Sequence, residues 1–544
     1  MRSPTIYAYL ILGIALISGI FLVDDYGVHW DEHSQYNHGL VTAQYINELC
    51  RDCLSDKPFS ETRLEEYKDR THGVVFQMFA LGIQNLLGLD DIRQFLLLRH
   101  ILTFLIFWLS LIFLYKVFNK YLKNKWITVA GLVIFSLSPR IFAESFYNSK
   151  DIVFLSLTIF STWTLLQFLE KPGYRTLFFH ALTSALLIAT RVPGIFMPAS
   201  TLILFTIRPF FNENKKPFSI TAFLKENKMR FLHASLFLAV YLVATGMLII
   251  VFWPYLWQSP LKNFAEIFTS MSHFPWDDPV LFAGSFITPN ALPFYYVPLW
   301  IAITTPVLNS LLFLTGLGFI FSGKSKGLAR FYDLVPVVLL FFPLLSVILL
   351  HSVLYDGWRQ MYFLYVPFII IAMRGLDMLI NWICGMGSKF TAQWMRRIVF
   401  MLVIGSAAFA LVFIVSNHPN QQVYFNFMAS KQPVNRFEGD YWGLSYRSSL
   451  EYLLKSDPSD TILVCGANWP AKANADILPK RDRDRLKFTD WDKATYFISN
   501  HRFPPEHNKF MNKEYPYNQA VYEVNVKDYV VSGVYKLGTA KKLD

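Results

Sequence analysis

Four short segments place ionisable groups where apolar runs of the chain end. His29-Trp30-Asp31-Glu32-His33 follows the first apolar run, and Ser138–Asp151 carries Arg140, Glu144, Asn148, Lys150 and Asp151. Arg191 precedes Pro193-Gly194, and Tyr355-Asp356-Gly357-Trp358-Arg359 closes the set. A charge at the centre of a bilayer costs about 2.5–3.5 kcal/mol on insertion scales, so ionisable groups at its boundary are a functional signal. The mixture of carboxylates and cations suits transfer of a group from a phosphate to a hydroxyl. A carboxylate takes the proton of the attacking hydroxyl, and cations neutralise the charge growing on the departing phosphate. Asp31 or Glu32 fits the base, with Asp151 a third carboxylate. Lys150, Arg359, Arg191 and Arg140 fit the phosphate, and Asp356, Tyr355, Asn148 and His29 are placed to support them.

Each residue also has a plainer reading. Asp31-Glu32 suits a solvated loop start, Lys150-Asp151 an interfacial salt pair or a snorkelling anchor, Arg359 a structural partner for Asp356, and Arg191 a cap for the Pro-Gly turn. His29, His33 and His38 beside two carboxylates are ordinary ligand types for a divalent metal. The H-E-x-x-H spacing is absent, so no cofactor is expected, with a divalent cation as the alternative. Cys50 and Cys53 form a lone C-x-x-C pair, which suits a local disulfide or two free thiols better than a zinc site.

The elements that must hold these groups follow from composition. The chain has 544 residues, 53 % hydrophobic and only 16 % charged, against about 25 % charged in soluble domains. The deficit lies before Asn417: residues 417–544 carry 18 Lys or Arg and 15 Asp or Glu, an ordinary soluble density. A wholly soluble enzyme and a disordered scaffold are excluded. Apolar stretches at 6–23, 96–118, 126–138, 152–170, 176–190, 194–207, 231–253, 299–321, 332–350, 361–380 and 398–416 predict about eleven membrane spans. No small-x-small cleavage site follows the first, which reads as a retained span.

Lys and Arg concentrate in loops 119–125, 171–175, 208–230, 322–331 and 381–397, so these are expected in the cytoplasm together with the N-terminus. Loops 24–95 and 254–298 and the tail then lie outside. The fold class expected is mainly α: a polytopic membrane helical bundle over 1–416 and an extracytoplasmic soluble α/β domain over 417–544. Thr461–Cys465, Ala494–Ile498, Ala520–Val526 and Tyr529–Tyr535 read as its strands. The net charge of +11 is a positive-inside signature, and no nucleic-acid partner is expected. No Asn-x-Ser/Thr sequon occurs, which points to a bacterial inner membrane.

The order of a first span, an outer Asp31-Glu32 pair, a long first outer loop and the Pro139…Glu144…Lys150-Asp151 loop resembles the C-type glycosyltransferases. With Phe252-Trp253-Pro254-Tyr255-Leu256-Trp257 and Tyr355–Arg359, it looks most like the protein O-mannosyltransferases (glycosyltransferase family 39) and the related bacterial lipid A aminoarabinose transferases. His418-Pro419-Asn420 and Asp440-Tyr441-Trp442-Gly443 are similar to bacterial members with a soluble tail. The resemblance implies the C-type glycosyltransferase fold, a polyprenyl-phosphate sugar donor, an inverting displacement onto a hydroxyl acceptor (glycolipid, glycan or protein), and Asp31 as base. A lipid-linked glycan flippase or transporter is the alternative. It predicts charges at mid-membrane and an inverted repeat, whereas the charges here sit at span ends.

Overall fold

The structure is a computed structural model and describes residues 3–51, 53–55, 57–211, 228–272, 276, 278–502 and 520–537. It is mainly helical, with β-structure concentrated at the C-terminal end. Eight described helices are long and apolar enough to cross a bilayer: Pro4–Asp25, Ile92–Tyr121, Asp151–Glu170, Val192–Phe211, Ser235–Phe252, Gly327–Leu349, Arg359–Cys384 and Lys389–Ser416. The chain is an integral membrane protein. The other expected spans are shorter helices: Lys125–Ser136, Tyr174–Thr190, and the pair Tyr296–Thr304 and Val307–Phe321. That pair is broken because Pro306 has no N–H to donate and holds Thr305 extended, at φ −110° and ψ 143°.

Burial separates inner from outer helices. The apolar windows of Asp151–Glu170 and Arg359–Cys384 are 78 % and 83 % buried, against 22 % for Pro4–Asp25 and for Lys389–Ser416. Both inner helices begin at a residue marked by the sequence pattern, so the site sits at one end of the bundle axis. The Tyr365–Cys384 helix reaches its neighbour Val307–Phe321 through two glycines. A Cβ on Gly316 would lie 2.2 Å from the Ile371 carbonyl oxygen, and one on Gly375 would lie 2.4 Å from that of Leu312. Such close backbone approach stands in for the hydrophobic drive that is missing between helices in lipid.

The first long loop is ordered by two helices. Glu32–Leu49 starts beside Asp31, and the amphipathic Val75–Leu87 buries Phe76, Ala80 and Leu81 while exposing Phe79, Leu86 and Leu87. Cys50 and Cys53 are joined as a disulfide at the end of the first of these helices. The second long loop holds the Pro260–Ser272 helix and a hairpin of β1 (Val280–Phe282) and β2 (Ser285–Ile287).

Beyond Ser416 the chain packs back on the membrane helices: Val423, Tyr424, Phe425 and Phe437, with Val524, Val526, Tyr529 and Val531, join the main membrane core. Tyr441, Trp442 and Leu444 pack with Val23, Tyr26 and Phe146. The separate core begins at Tyr446. There a five-stranded sheet runs in the order β4 (Leu486–Phe488), β3 (Ile462–Gly466), β5 (Tyr496–Ser499), β7 (Tyr529–Lys536) and β6 (Ala520–Val526). β3 is parallel to β4 and β5, and β7 is antiparallel to β5 and β6. Four of these strands fall on the expected runs; β4 is too short to give a pattern.

The tail is clamped to the first loop by one buried amide. Asn474 Oδ1 accepts the Val28 N–H at 2.9 Å, and Asn474 Nδ2 donates to the carbonyls of Val28 (3.0 Å), Gly443 (3.0 Å) and Pro470 (2.8 Å). The fit requires Gly27, whose Cβ would lie 2.1 Å from Asn474 Oδ1. An unpaired buried group costs about 1–3 kcal/mol. Asn474→Ala is therefore expected to loosen the tail, read as faster hydrogen exchange at Val28 and across 446–488 and a lower apparent melting midpoint in detergent. Unchanged exchange there would show that the clamp is dispensable.

Candidate active site

Asp31 immediately precedes the Glu32–Leu49 helix, and Lys150 precedes Asp151 at the start of the Asp151–Glu170 helix. Arg191 ends the Tyr174–Thr190 helix, and Arg359 opens the turn leading into Tyr365–Cys384. These four helix ends meet. Arg359 Nη1 lies 3.5 Å from Asp31 Oδ2 and 3.5 Å from Asp151 Oδ2, and Arg359 Nη2 lies 3.1 Å from Asp356 Oδ2. Arg191 pairs with the other oxygen of Asp151. The Arg359 guanidinium is flanked by the rings of Tyr355 (4.9 Å) and Trp442 (4.5 Å). Asp356 adopts φ +56°, which is rare outside glycine, and Gly357 follows at φ +70°. The turn is held by Arg502 Nη2, 2.7 Å from Asp356 Oδ1, and by Glu438, which accepts the Gly357 N–H at 2.9 Å.

Asp31, Lys150, Arg191, Tyr355 and Arg359 line one cavity of 340 Å³. Its far walls are apolar and come from spanning helices, among them Ile195, Phe196, Val347 and Leu350. Trp276 closes one side, stacked on Tyr355 with centroids 4.1 Å apart and planes 3° apart.

The remaining expected residues stand behind or away from this cavity. Asn148 bridges two carboxylates, donating to Glu144 Oε2 at 2.7 Å and Asp151 Oδ2 at 3.0 Å. Glu144 also accepts from Tyr362 (2.5 Å) and Tyr441 (3.2 Å). Arg140 is buried elsewhere, donating to the Tyr424 carbonyl at 3.3 Å beneath Trp300 and Phe425. Glu32 is fully buried between His100 (3.2 Å), Arg99 (3.6 Å) and His29 (3.9 Å). The split between Asp31 and Glu32 is geometric: adjacent positions at a helix start point about 100° apart. The three histidines also separate. His29 sits with Glu32, His33 bonds Asp476 at 2.9 Å, and His38 stacks on Tyr67 in the cavity wall.

Protonation follows the same division. Burial would raise the Glu32 pKa, but the charge and hydrogen bond of His100, with His29 and Arg99, pull it down to about 2. Burial lowers His29 to about 4, so its ring is neutral at pH 7. For Asp31, burial raises the pKa and the charges of Arg359, His29, Lys150 and Arg502 outweigh it, leaving it below the ordinary value. The Lys150 backbone N–H donates to Asn148 Oδ1 at 3.3 Å, but its side-chain amine has no ion-pair or hydrogen-bond partner among the described residues. Its pKa is lowered to about 7, first by burial and then by Arg191 and Arg359, with Asp31 opposing.

Sequence reasoning missed the lining residues Gln35, Gln77 and Gln360, and the tail's Arg502. Only Arg502 had a charge to mark it, and it lies in a segment of normal charge density.

Residues 99–257 match the family model of the dolichyl-phosphate-mannose-protein mannosyltransferases, the family that the sequence motifs resemble. Among solved structures, one similar to this chain is the archaeal oligosaccharyltransferase AglB from Archaeoglobus fulgidus in complex with an inhibitory peptide and a dolichol-phosphate. It is 10 % identical, with 91 % of this chain and 69 % of that one covered, at a TM-score of 0.46. ArnT from Cupriavidus metallidurans bound to undecaprenyl phosphate is 11 % identical, with 99 % of each chain covered and a TM-score of 0.46. Its apo state gives 11 %, 98 % of each chain and 0.48. No curated protein matches the chain.

The position of Lys150 sets a test. With a pKa of about 7, its amine is cationic below that pH and neutral above it, so anion affinity of the cavity falls as pH rises through 7. Competitive amine labelling read by peptide mass spectrometry should give Lys150 a midpoint near 7, against about 10.4 for an ordinary lysine. A midpoint near 10 would show the amine to be solvated instead.

Proposed function

We propose that the protein is a membrane glycosyltransferase of the C type, moving a sugar from a polyprenyl-phosphate donor to a hydroxyl acceptor, with inversion. The observation that carries this reading is the charge balance in an amphipathic cavity. Asp31, Asp151 and Asp356 are ion-paired with Arg191, Arg359 and Arg502, whereas the Lys150 ammonium makes no ion pair among the described residues, and Asp69, the other lining carboxylate, stands beside His72. Three cations converging on a confined site suit an anion, and the apolar walls on the spanning helices suit a lipid chain attached to it. The family match over 99–257, which contains Asn148, Lys150, Asp151 and Arg191, supports the same reading.

In the reaction, the acceptor oxygen attacks the anomeric carbon and the bond from that carbon to the phosphate oxygen breaks, the electron pair staying on the phosphate. Asp31 takes the acceptor proton: of the two carboxylates that line the cavity, Asp31 and Asp69, it is the one beside the Arg359 guanidinium, and it remains 32 % exposed. Glu32, enclosed by His100 and Arg99, has no such access. Lys150, Arg191 and Arg359 stabilise the phosphate as its charge grows. Asp151 and Asp356 aim the two arginines, and Asn148 fixes Asp151. The site faces the extracytoplasmic side of a bacterial inner membrane, with the N-terminus in the cytoplasm.

The test is transfer from polyprenyl-phosphate sugars by purified protein, comparing wild type with Asp31→Asn. The substitution preserves shape, so a folded variant is expected to lose about 10²–10⁴-fold in turnover while still binding the lipid phosphate. Unchanged turnover would move the base to another carboxylate. Movement of the lipid across a vesicle membrane without transfer would support the transporter instead.

A further inference from the structure

The cavity has a second set of polar groups, and they carry no charge. Gln35 Oε1 accepts from Ser149 Oγ at 2.7 Å and from Gln77 Nε2 at 3.4 Å. This leaves Gln35 Nε2 and Gln77 Oε1 without a hydrogen bond among the described residues, and Gln360 has neither Nε2 nor Oε1 bonded. All three glutamines line the cavity, and they are only 8 %, 5 % and 8 % exposed. Turning an amide by half a rotation exchanges which atom is unpaired but does not pair it. Buried amide atoms left this way are costly and rare. Their placement is also informative: Gln360 adjoins Arg359, while Gln35 and Gln77 stand on the first-loop wall, which also carries His72. The unpaired atoms comprise both donors and acceptors, and a sugar hydroxyl is both at once.

We propose that Gln35, Gln77 and Gln360 form the sugar subsite of the donor, and that this sugar is uncharged and reads out through several free hydroxyls. The proposal rests on the lipid-phosphate reading above. The charges argue against a cationic sugar. Asp31 is taken up by Arg359, and the other lining carboxylate outside that network, Asp69, is 40 % exposed beside His72. Lys150, Arg191 and Arg359 would repel a protonated amine, and the phosphate already answers them.

The experiment measures equilibrium binding of undecaprenyl phosphate and of undecaprenyl-phosphate glucose to the full-length protein. Wild type is compared with Gln77→Leu and Gln360→Leu. Each variant should weaken binding of the glucose-bearing lipid by about 3- to 30-fold, as expected for one lost hydrogen bond in a buried site. The plain lipid phosphate should keep its wild-type Kd, which also reports that the variants are folded. Equal weakening of both lipids, or of neither, overturns the subsite while leaving the phosphate site standing. Failure of wild type to bind either lipid overturns the phosphate reading and this one with it. Tighter binding of the same lipid carrying a 4-amino-4-deoxy sugar than of the glucose form overturns the uncharged class.

Discussion

The architecture turns on one buried guanidinium. Arg359 reaches Asp31, Asp151 and Asp356 at 3.5, 3.5 and 3.1 Å and is 4 % exposed. A charge taken out of water loses several kcal/mol of hydration, and removing one partner of a buried pair costs about 3–5 kcal/mol. The three carboxylates belong to the first loop, to the start of an inner helix and to the turn just before Arg359. Satisfying this one cation therefore brings together segments that are far apart in sequence. The rings of Tyr355 and Trp442 close its faces, so that solvent cannot substitute for the pairing.

From that centre the polar order spreads outward in layers. Asn148 ties Asp151 to Glu144, which Tyr362 and Tyr441 hold in turn. Glu32, Arg99 and His100 form a separate buried group behind Asp31. Neighbouring carboxylates thus have different surroundings: Asp31 looks into a cavity, while Glu32 is locked inside. The Trp276–Tyr355 stack ties the second long loop to the same centre.

Much of this was legible in the sequence, for a physical reason. A bilayer penalises charge, so Asp31, Lys150, Arg191 and Arg359 stand out against apolar runs, and the structure places all four on one cavity. Arg140 stood out equally but is spent under Trp300 and Phe425, because a charge at a span end marks burial without telling which way the side chain turns. Glu32 was marked with Asp31 and separates from it only through helical geometry. Gln35, Gln77 and Gln360 left no trace: uncharged amides are unremarkable in sequence, and their unpaired state exists only once the fold surrounds them. The 299–321 run reads as one span because its hydropathy is continuous, and Pro306 within it makes two short helices instead.

The contact between Arg502 and Asp356 also orders events in time. Arg359 and all three of its carboxylates are synthesised before the tail, and Arg502 follows only after β5. Until residues 438 and 502 have been made, the Asp356 turn lacks the carboxylate and the cation that hold it in the folded chain. Completion of the charge network therefore waits for the C-terminal residues. The cavity end of the membrane bundle thus receives its last cation from the part of the chain that is made last.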